Sequence, residues 1–157
     1  MTLAETLLPK LSDWQPAGDG RHSWSDALPG GWTVHVAADK TDTLSCLVWE
    51  LTLTRADAPP PGLTLDGWAA GIAARVTGLV EPLKLYEVDA ARDEAVLRSD
   101  APSTRAGKLA YYEVRLHGLT RAVVRRFHAT METPGREQVA FALTHEVLAK
   151  LAADLAG

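Results

Sequence analysis

The chain contains a single cysteine, Cys46, and no long uninterrupted hydrophobic run. One cysteine cannot form an internal disulfide, which fits a reducing compartment. The longest mostly apolar stretches, 68–80 and 138–157, are interrupted by glycine, histidine or charged residues and are too short or too polar to cross a bilayer. The N-terminus lacks a basic segment followed by an apolar core, so no signal peptide is predicted. We therefore expect a cytoplasmic protein that does not enter a membrane.

Motifs for catalysis and cofactor binding are missing as well. None of the five histidines lies in a spacing typical of a metal site, and no glycine-rich loop joins a strand to a helix. Cys46 lies in an apolar strand, where a buried small hydrophobic residue is the simpler interpretation. The sequence thus predicts no catalytic residues, no metal ligands, no cofactor-binding residues and no cofactor. A non-enzymatic protein is expected, with an enzyme of unrecognised type as an open alternative.

A length of 157 residues with 46% hydrophobic side chains favours one domain covering residues 1–157. Helical periodicity predicts helices at 2–14, from Thr64 to just before Pro82, and at 144–157, with Pro9 either kinking the first helix or starting a second turn. Strands are predicted at 22–25, 32–36, 47–54, 83–88, 95–98, 109–116, 121–131 and 138–143. Short links between them predict an α+β fold: one mostly antiparallel, twisted sheet with helices packed on one face, in the order helix–strands–helix–strands–helix.

Two local expectations concern which face a side chain occupies. Leu47, Trp49, Leu51 and Leu53 are expected on one face of a strand, with Glu50, Thr52 and Thr54 on the other. Trp49 is therefore expected in the core, where truncation to alanine would cost about 3–5 kcal/mol. Across residues 125–126 the alternation fails, which predicts either a β-bulge there or an unbulged strand that uses Val123 instead of Val124.

Basic residues concentrate in one segment of an otherwise acidic chain. Residues 105–136 carry seven basic and two acidic side chains, whereas the whole protein has a net charge of −4. The simpler interpretation is a solvent-facing row of arginines that pair with acidic neighbours. The functional alternative is a partner-binding surface. The acidic balance and the lack of a recognised binding motif argue against nucleic acid. The candidate partner-binding residues are Tyr111, Arg115, Arg121, Arg125 and Arg126.

The order of elements resembles that of the small bacterial chaperones of type III secretion effectors, which are α+β dimers that hold an unfolded segment of a partner protein. Residues 28–32, 51–55 and 63–65 also look like those of PsbP-like domains of the DcrB type, some of which serve as effector-specific chaperones or envelope adaptors. DcrB-type proteins usually lack the N-terminal helix, and many carry an export signal. Neither family supplies a catalytic motif to transfer to this chain.

These observations predict a protein-binding domain, chaperone-like in the sense that a sheet surface or helix face holds a partner protein. The partner is expected to be another protein or a second copy of the chain, as in a homodimer. A small apolar-ligand-binding domain, with a pocket between sheet and helices, is the main alternative.

Overall fold

The structure is a computed structural model that describes residues 1–130 and 132–157. Within these ranges it contains three helices, α1 (Leu3–Asp13), α2 (Leu65–Arg75) and α3 (His145–Ala156). The strands are β1 (His22–Leu28), β2 (Trp32–Thr41), β3 (Ser45–Arg55), β4 (Leu83–Asp89), β5 (Glu94–Ser99), β6 (Ser103–Arg105), β7 (Lys108–His117), β8 (Arg121–Thr130), β9 (Arg136–Val139) and β10 (Phe141–Thr144). The predicted α+β class and element order are confirmed. Met131, the last residue of the predicted strand 121–131, lies outside the described residues.

Each helix begins at a threonine whose hydroxyl accepts a backbone hydrogen bond in the first turn. At α1 the predicted capping box forms between Thr2 and Glu5, and the helix continues through Pro9 without a break. Helix α2 ends at Arg75, well before the predicted stop at Pro82. The threonine and glycine at positions 77–78 favour helix weakly, so the chain leaves the helix while the following Val76 and Leu79 stay buried.

All strand pairs are antiparallel, and the sheet runs in the order β1-β2-β3-β8-β7-β5-β4. Strand β3 pairs with β8 along its C-terminal half and with β10 along its N-terminal half, while β9 pairs with the far half of β8. Strands β3 and β8 are therefore paired at one end and separate toward the other, where β9 and β10 lie between them.

The point where β3 and β8 separate coincides with a break in the alternation of core-facing and outward-facing side chains along β3. Ala37 lies opposite Glu50 and Ala38 opposite Val48, so Trp49 is an extra residue that shifts the register. As a result Val48 and Leu51 both face the core, and Trp49 turns to the other face and is only half-buried. The expectation that Trp49 lies in the core is wrong for this reason. No bulge occurs at residues 125–126, where β7 and β8 pair without interruption.

One hydrophobic core joins the three helices to a single face of the sheet. Helix α3 packs on β3 and β10, α1 packs on α3, and α2 covers β4 and β5. Trp32 and Trp68 meet within this core with ring centroids 6.1 Å apart. Trp14 and Trp24 are stacked against each other at the rim of the core, so they fasten the loop after α1 to β1. The opposite face of the sheet is covered by none of these three helices.

Candidate partner-binding face

The sheet face turned away from the helices, here called the open face, has an apolar floor of its own. Tyr111 lies opposite Phe127 in the β7–β8 ladder, and their ring centroids are 5.9 Å apart. Long polar side chains cover these residues where a helix would otherwise lie, because arginine stems can lie along an apolar surface while the charged ends remain in water. The hydrophobic side chains that are buried without belonging to the main core are Ala37, Val96, Tyr111, Val123 and Phe127.

Four neighbouring strands each contribute one arginine to the open face. The side chains retain 28–32% of their exposure, so they are accessible to a partner. Since adjacent strands lie about 4.8 Å apart, the four strands span about 14 Å across the sheet. We call this set the arginine cluster: Arg98 on β5, Arg115 on β7, Arg125 on β8 and Arg136 on β9.

A buried carboxylate, Glu113, lies at the centre of the arginine cluster and is only 2% exposed. Arg136 donates to both of its oxygens at 2.8 and 3.4 Å, and Arg98 Nε donates to Oε1 at 3.3 Å. Arg115 approaches Oε2 at 3.9 Å. Burial alone would raise the pKa of Glu113, but the hydrogen bonds from Arg136 and the charges of Arg136, Arg115 and Arg98 hold it below its ordinary range.

Opposite charges alternate along one row across the sheet. Arg98 lies opposite Glu113, and Glu113 lies opposite Arg125, whose Nε donates to Glu50 on β3 at 2.9 Å. In this row each arginine has a carboxylate neighbour. Two further arginines lie beside the row: Arg136 shares Glu113 with Arg98, and Arg115 lies between Glu113 at 3.9 Å and Glu94 of β5 at 3.8 Å. The four arginines therefore face three carboxylates, Glu50, Glu94 and Glu113.

Aromatic rings support several of these guanidinium groups. Arg136 lies over the Phe127 ring with its Cζ atom 3.7 Å from the centroid, and Arg98 lies 4.2 Å from the centroid of Tyr86. A guanidinium over an aromatic face is stabilised by the ring quadrupole and keeps its planar edge available for anions. The bulge extends this pattern on β3: Trp49 lies 3.7 Å beneath Arg21.

A second buried carboxylate, Glu81, lies on the helix-covered side. Arg126 donates to both of its oxygens at 3.0 and 3.1 Å, and the hydroxyls of Ser99 and Ser103 each donate at 2.8 Å. Burial alone would raise the pKa of Glu81, but the hydrogen bonds from Arg126, Ser99 and Ser103 hold it below its ordinary range. Arg126 also stacks on the Tyr112 ring. Through these contacts Glu81 ties the segment before β4 to strands β5, β6 and β8.

The structure places four of the five sequence-predicted site residues on the open face. Three of them, Tyr111, Arg115 and Arg125, belong to the floor or the arginine cluster, and Arg121 lies nearby on β8. Arg126 lies on the helix-covered face, where its guanidinium forms an ion pair with Glu81. We leave it out of the candidate site.

Sequence reasoning missed Arg98, Arg136 and the central Glu113. Arg98 could have been found from the alternation of β5, because it shares a face with Val96 and Glu94. Arg136 lies beyond a turn, and only the pairing of β9 with β8 brings it beside Phe127.

Other reactive groups show no organised site. Cys46 is buried beside Thr41, and burial raises the pKa of its thiol. Within residues 1–130 and 132–157, no group of three histidine, cysteine or acidic side chains is arranged to hold a metal ion. In that same part of the chain no helix has the length and apolar character needed to cross a membrane.

Comparison with known proteins adds no relative to this description. No family model matches the chain, and searches of curated proteins and of solved structures found no significant match.

Proposed function

We propose that the protein is a non-enzymatic, chaperone-like adaptor whose open face holds an acidic, partly apolar segment of a partner protein. The observation that supports this most directly is the arginine cluster around the single buried Glu113. The cluster combines surplus positive charge with an apolar floor that its own side chains cover. The resemblance to secretion chaperones and DcrB-type domains points to the same class of function.

The shape of the face favours an extended segment over a small molecule. The arginines come from four strands that span about 14 Å across the sheet, and Arg98, Arg115 and Arg136 converge on Glu113. An acidic segment lying across the strands could meet several arginines in turn. Its apolar side chains would contact the floor at Tyr111 and Phe127 once the arginine stems move aside.

Fluorescence anisotropy with two labelled peptides tests this proposal. Each has about ten residues, which span about 33 Å when extended, and alternates leucine with either glutamate or lysine. We expect the glutamate peptide to bind and the lysine peptide not to bind. Replacing Arg115 and Arg125 together by glutamine should weaken binding about tenfold, because two charge-assisted contacts are lost.

A matched control removes the same charge elsewhere. Arg92, in the turn after β4, and Arg105, at the end of β6, are exposed and lie outside the arginine cluster. Their joint replacement by glutamine should change the affinity less than about twofold. Equal binding of the two peptides, or equal loss in both double variants, would rule out the open face as the site.

We also propose that two copies of the chain associate through a separate region, the outer edge of β4. Within the described residues six large hydrophobic side chains are exposed, and four of them lie between residues 80 and 88: Val80, Leu85, Tyr86 and Val88. Strand β4 ends the sheet, with no strand on its outer side in residues 1–130 or 132–157. An uncovered, partly apolar edge strand is a template for pairing with another chain.

The charges on β4 suit a second copy. Antiparallel pairing centred between Leu85 and Tyr86 places Lys84 opposite Glu87 of the second copy, twice across the twofold axis. Both residues lie on the open face, since they pair with Arg98 and Val96. We expect Lys84→Glu or Glu87→Lys alone to weaken the dimer in sedimentation velocity, and the double charge swap to restore it. A monomer at all concentrations would refute this pairing.

A further inference from the structure

A small pocket of about 210 Å³ opens where the ends of α2 and α3 meet the β2–β3 end of the sheet. It lies on the helix-covered side of the sheet, whereas the arginine cluster lies on the open face, and it does not rest on the proposed function. Its main lining residues are Trp32, Arg55, Leu63, Trp68, Arg75 and Leu119. Ligand sites for drug-sized molecules have volumes of about 300–1,000 Å³, so this pocket suits a smaller molecule.

The apolar wall of the pocket is fixed by the core. Trp32 and Trp68 are each 4% exposed and pack against each other. The indole Nε1 of Trp68 donates to the Leu155 carbonyl at 2.9 Å, which holds its ring at the end of α3. Since so little of either tryptophan is exposed, most of the apolar contact with a ligand falls to Leu63 and Leu119, which are half-buried at the pocket.

Two arginines provide the polar part of the pocket. The Arg55 guanidinium carbon lies 4.1 Å from the centre of the Trp32 ring, and its Nε is buried without a hydrogen-bond partner in the described residues. Arg75 Nε donates to the Asp154 carbonyl at 2.8 Å. Neither arginine forms an ion pair with a residue in 1–130 or 132–157, whereas every member of the arginine cluster does.

We propose that this pocket binds a small carboxylate with an apolar body. A buried donor without a partner is costly, and a carboxylate matches the planar, forked geometry of a guanidinium. The carboxylate would accept hydrogen bonds from Arg55, with Arg75 adding positive charge. The apolar body would lie against Trp68, Leu63 and Leu119.

Isothermal titration with four probes tests the charge and the apolar body separately. The probes are 3-phenylpropionate, octanoate, the neutral 3-phenylpropanamide, and acetate. We expect saturable binding of at least one of the two larger carboxylates. The amide should bind at least about tenfold more weakly, because it lacks the charge-assisted hydrogen bonds. Acetate should bind weakly, because it has almost no apolar surface.

Arg55→Met keeps much of the side-chain volume and should reduce carboxylate binding by about tenfold or more. Its control is Arg21→Met, since Arg21 also stacks on a tryptophan but lies outside the pocket. In the wild-type protein, the indole N–H resonances of Trp32 and Trp68 should shift on titration while those of Trp14 and Trp49 stay in place. Equal binding of amide and carboxylate, no saturable binding of either larger acid, or shifts confined to Trp14 or Trp49 would overturn the proposal even if Arg55→Met failed to fold.

Discussion

The two faces of the sheet each bury one glutamate, but they do so in different ways. Glu81, on the helix-covered side, faces one arginine and two serines, and its partner Arg126 retains only 13% of its exposure. Glu113, on the open face, faces three arginines that each remain about 30% exposed. The first group is closed and balanced in charge. The second is open to solvent and has more positive than negative charge, which is why a binding role is proposed for the second group alone.

The largest expected difference between the faces concerns two tryptophans. Trp68→Ala should lower the free energy of unfolding by about 3–5 kcal/mol, because it leaves a cavity in the main core and removes a buried hydrogen bond. Trp49→Ala should cost about 1–2 kcal/mol, because its side chain is half-buried on the open face under Arg21. Urea unfolding of both variants measures this contrast. Equal losses would mean that the open face is as tightly packed as the core.

The contrast between Trp49 and Trp68 also shows where the sequence is a sufficient guide. Trp68 follows the 3.6-residue period of α2 and is placed correctly by that period alone. Trp49 continues the alternation of Leu47, Leu51 and Leu53, so the local pattern puts it in the core. The bulge that moves it depends on a segment far along the chain: β10 pairs beside it, and the Gln138 side chain donates to the Trp49 carbonyl at 3.0 Å. A local pattern cannot contain that information.

The candidate site also combines residues that the local sequence pattern locates with residues that only the strand order brings together. Tyr111 and Arg115 share a face by simple alternation along β7, so a single strand is enough to associate them. Arg98 and Arg136 join them only because β5 and β9 lie on either side of the β7–β8 pair. The element order and the antiparallel sheet were therefore predictable from periodicity and link length, but the convergence of four strands on Glu113 depends on the strand order.

Adjacent arginines on β8 provide the next test. Arg126→Ala should cost about 3 kcal/mol, because it leaves Glu81 buried without its counter-charge. Arg125→Ala should cost about 1 kcal/mol or less, since Arg125 and Glu50 remain partly exposed. Thermal and urea unfolding of the two variants measure the difference. The double variant Glu81→Gln with Arg126→Gln, which removes both charges, should recover part of the loss. If Arg126→Ala is as stable as Arg125→Ala, the Glu81 group is not a closed structural ion pair.

The smallest expected effect is the response of the two carboxylates to acid and salt. Both have a pKa below the ordinary glutamate value near 4.3, so each stabilises the fold above that pH. This stabilisation is lost as the pH falls through the lowered, folded-state pKa. Urea midpoints at about pH 7 and about pH 3 should therefore differ less in Glu113→Gln and in Glu81→Gln than in the wild type.

Salt then separates the two groups. In about 1 M NaCl, where the Debye length is about 3 Å, the contribution of Glu113 should shrink, because its arginine partners reach solvent. The contribution of Glu81 should change little, because Arg126 and the two serines enclose it. The quantity to measure is the difference in urea midpoint between wild type and each glutamine variant, with and without salt. If salt reduces both contributions equally, the helix-covered site is as open to ions as the open face, and the distinction between a structural and a binding carboxylate fails.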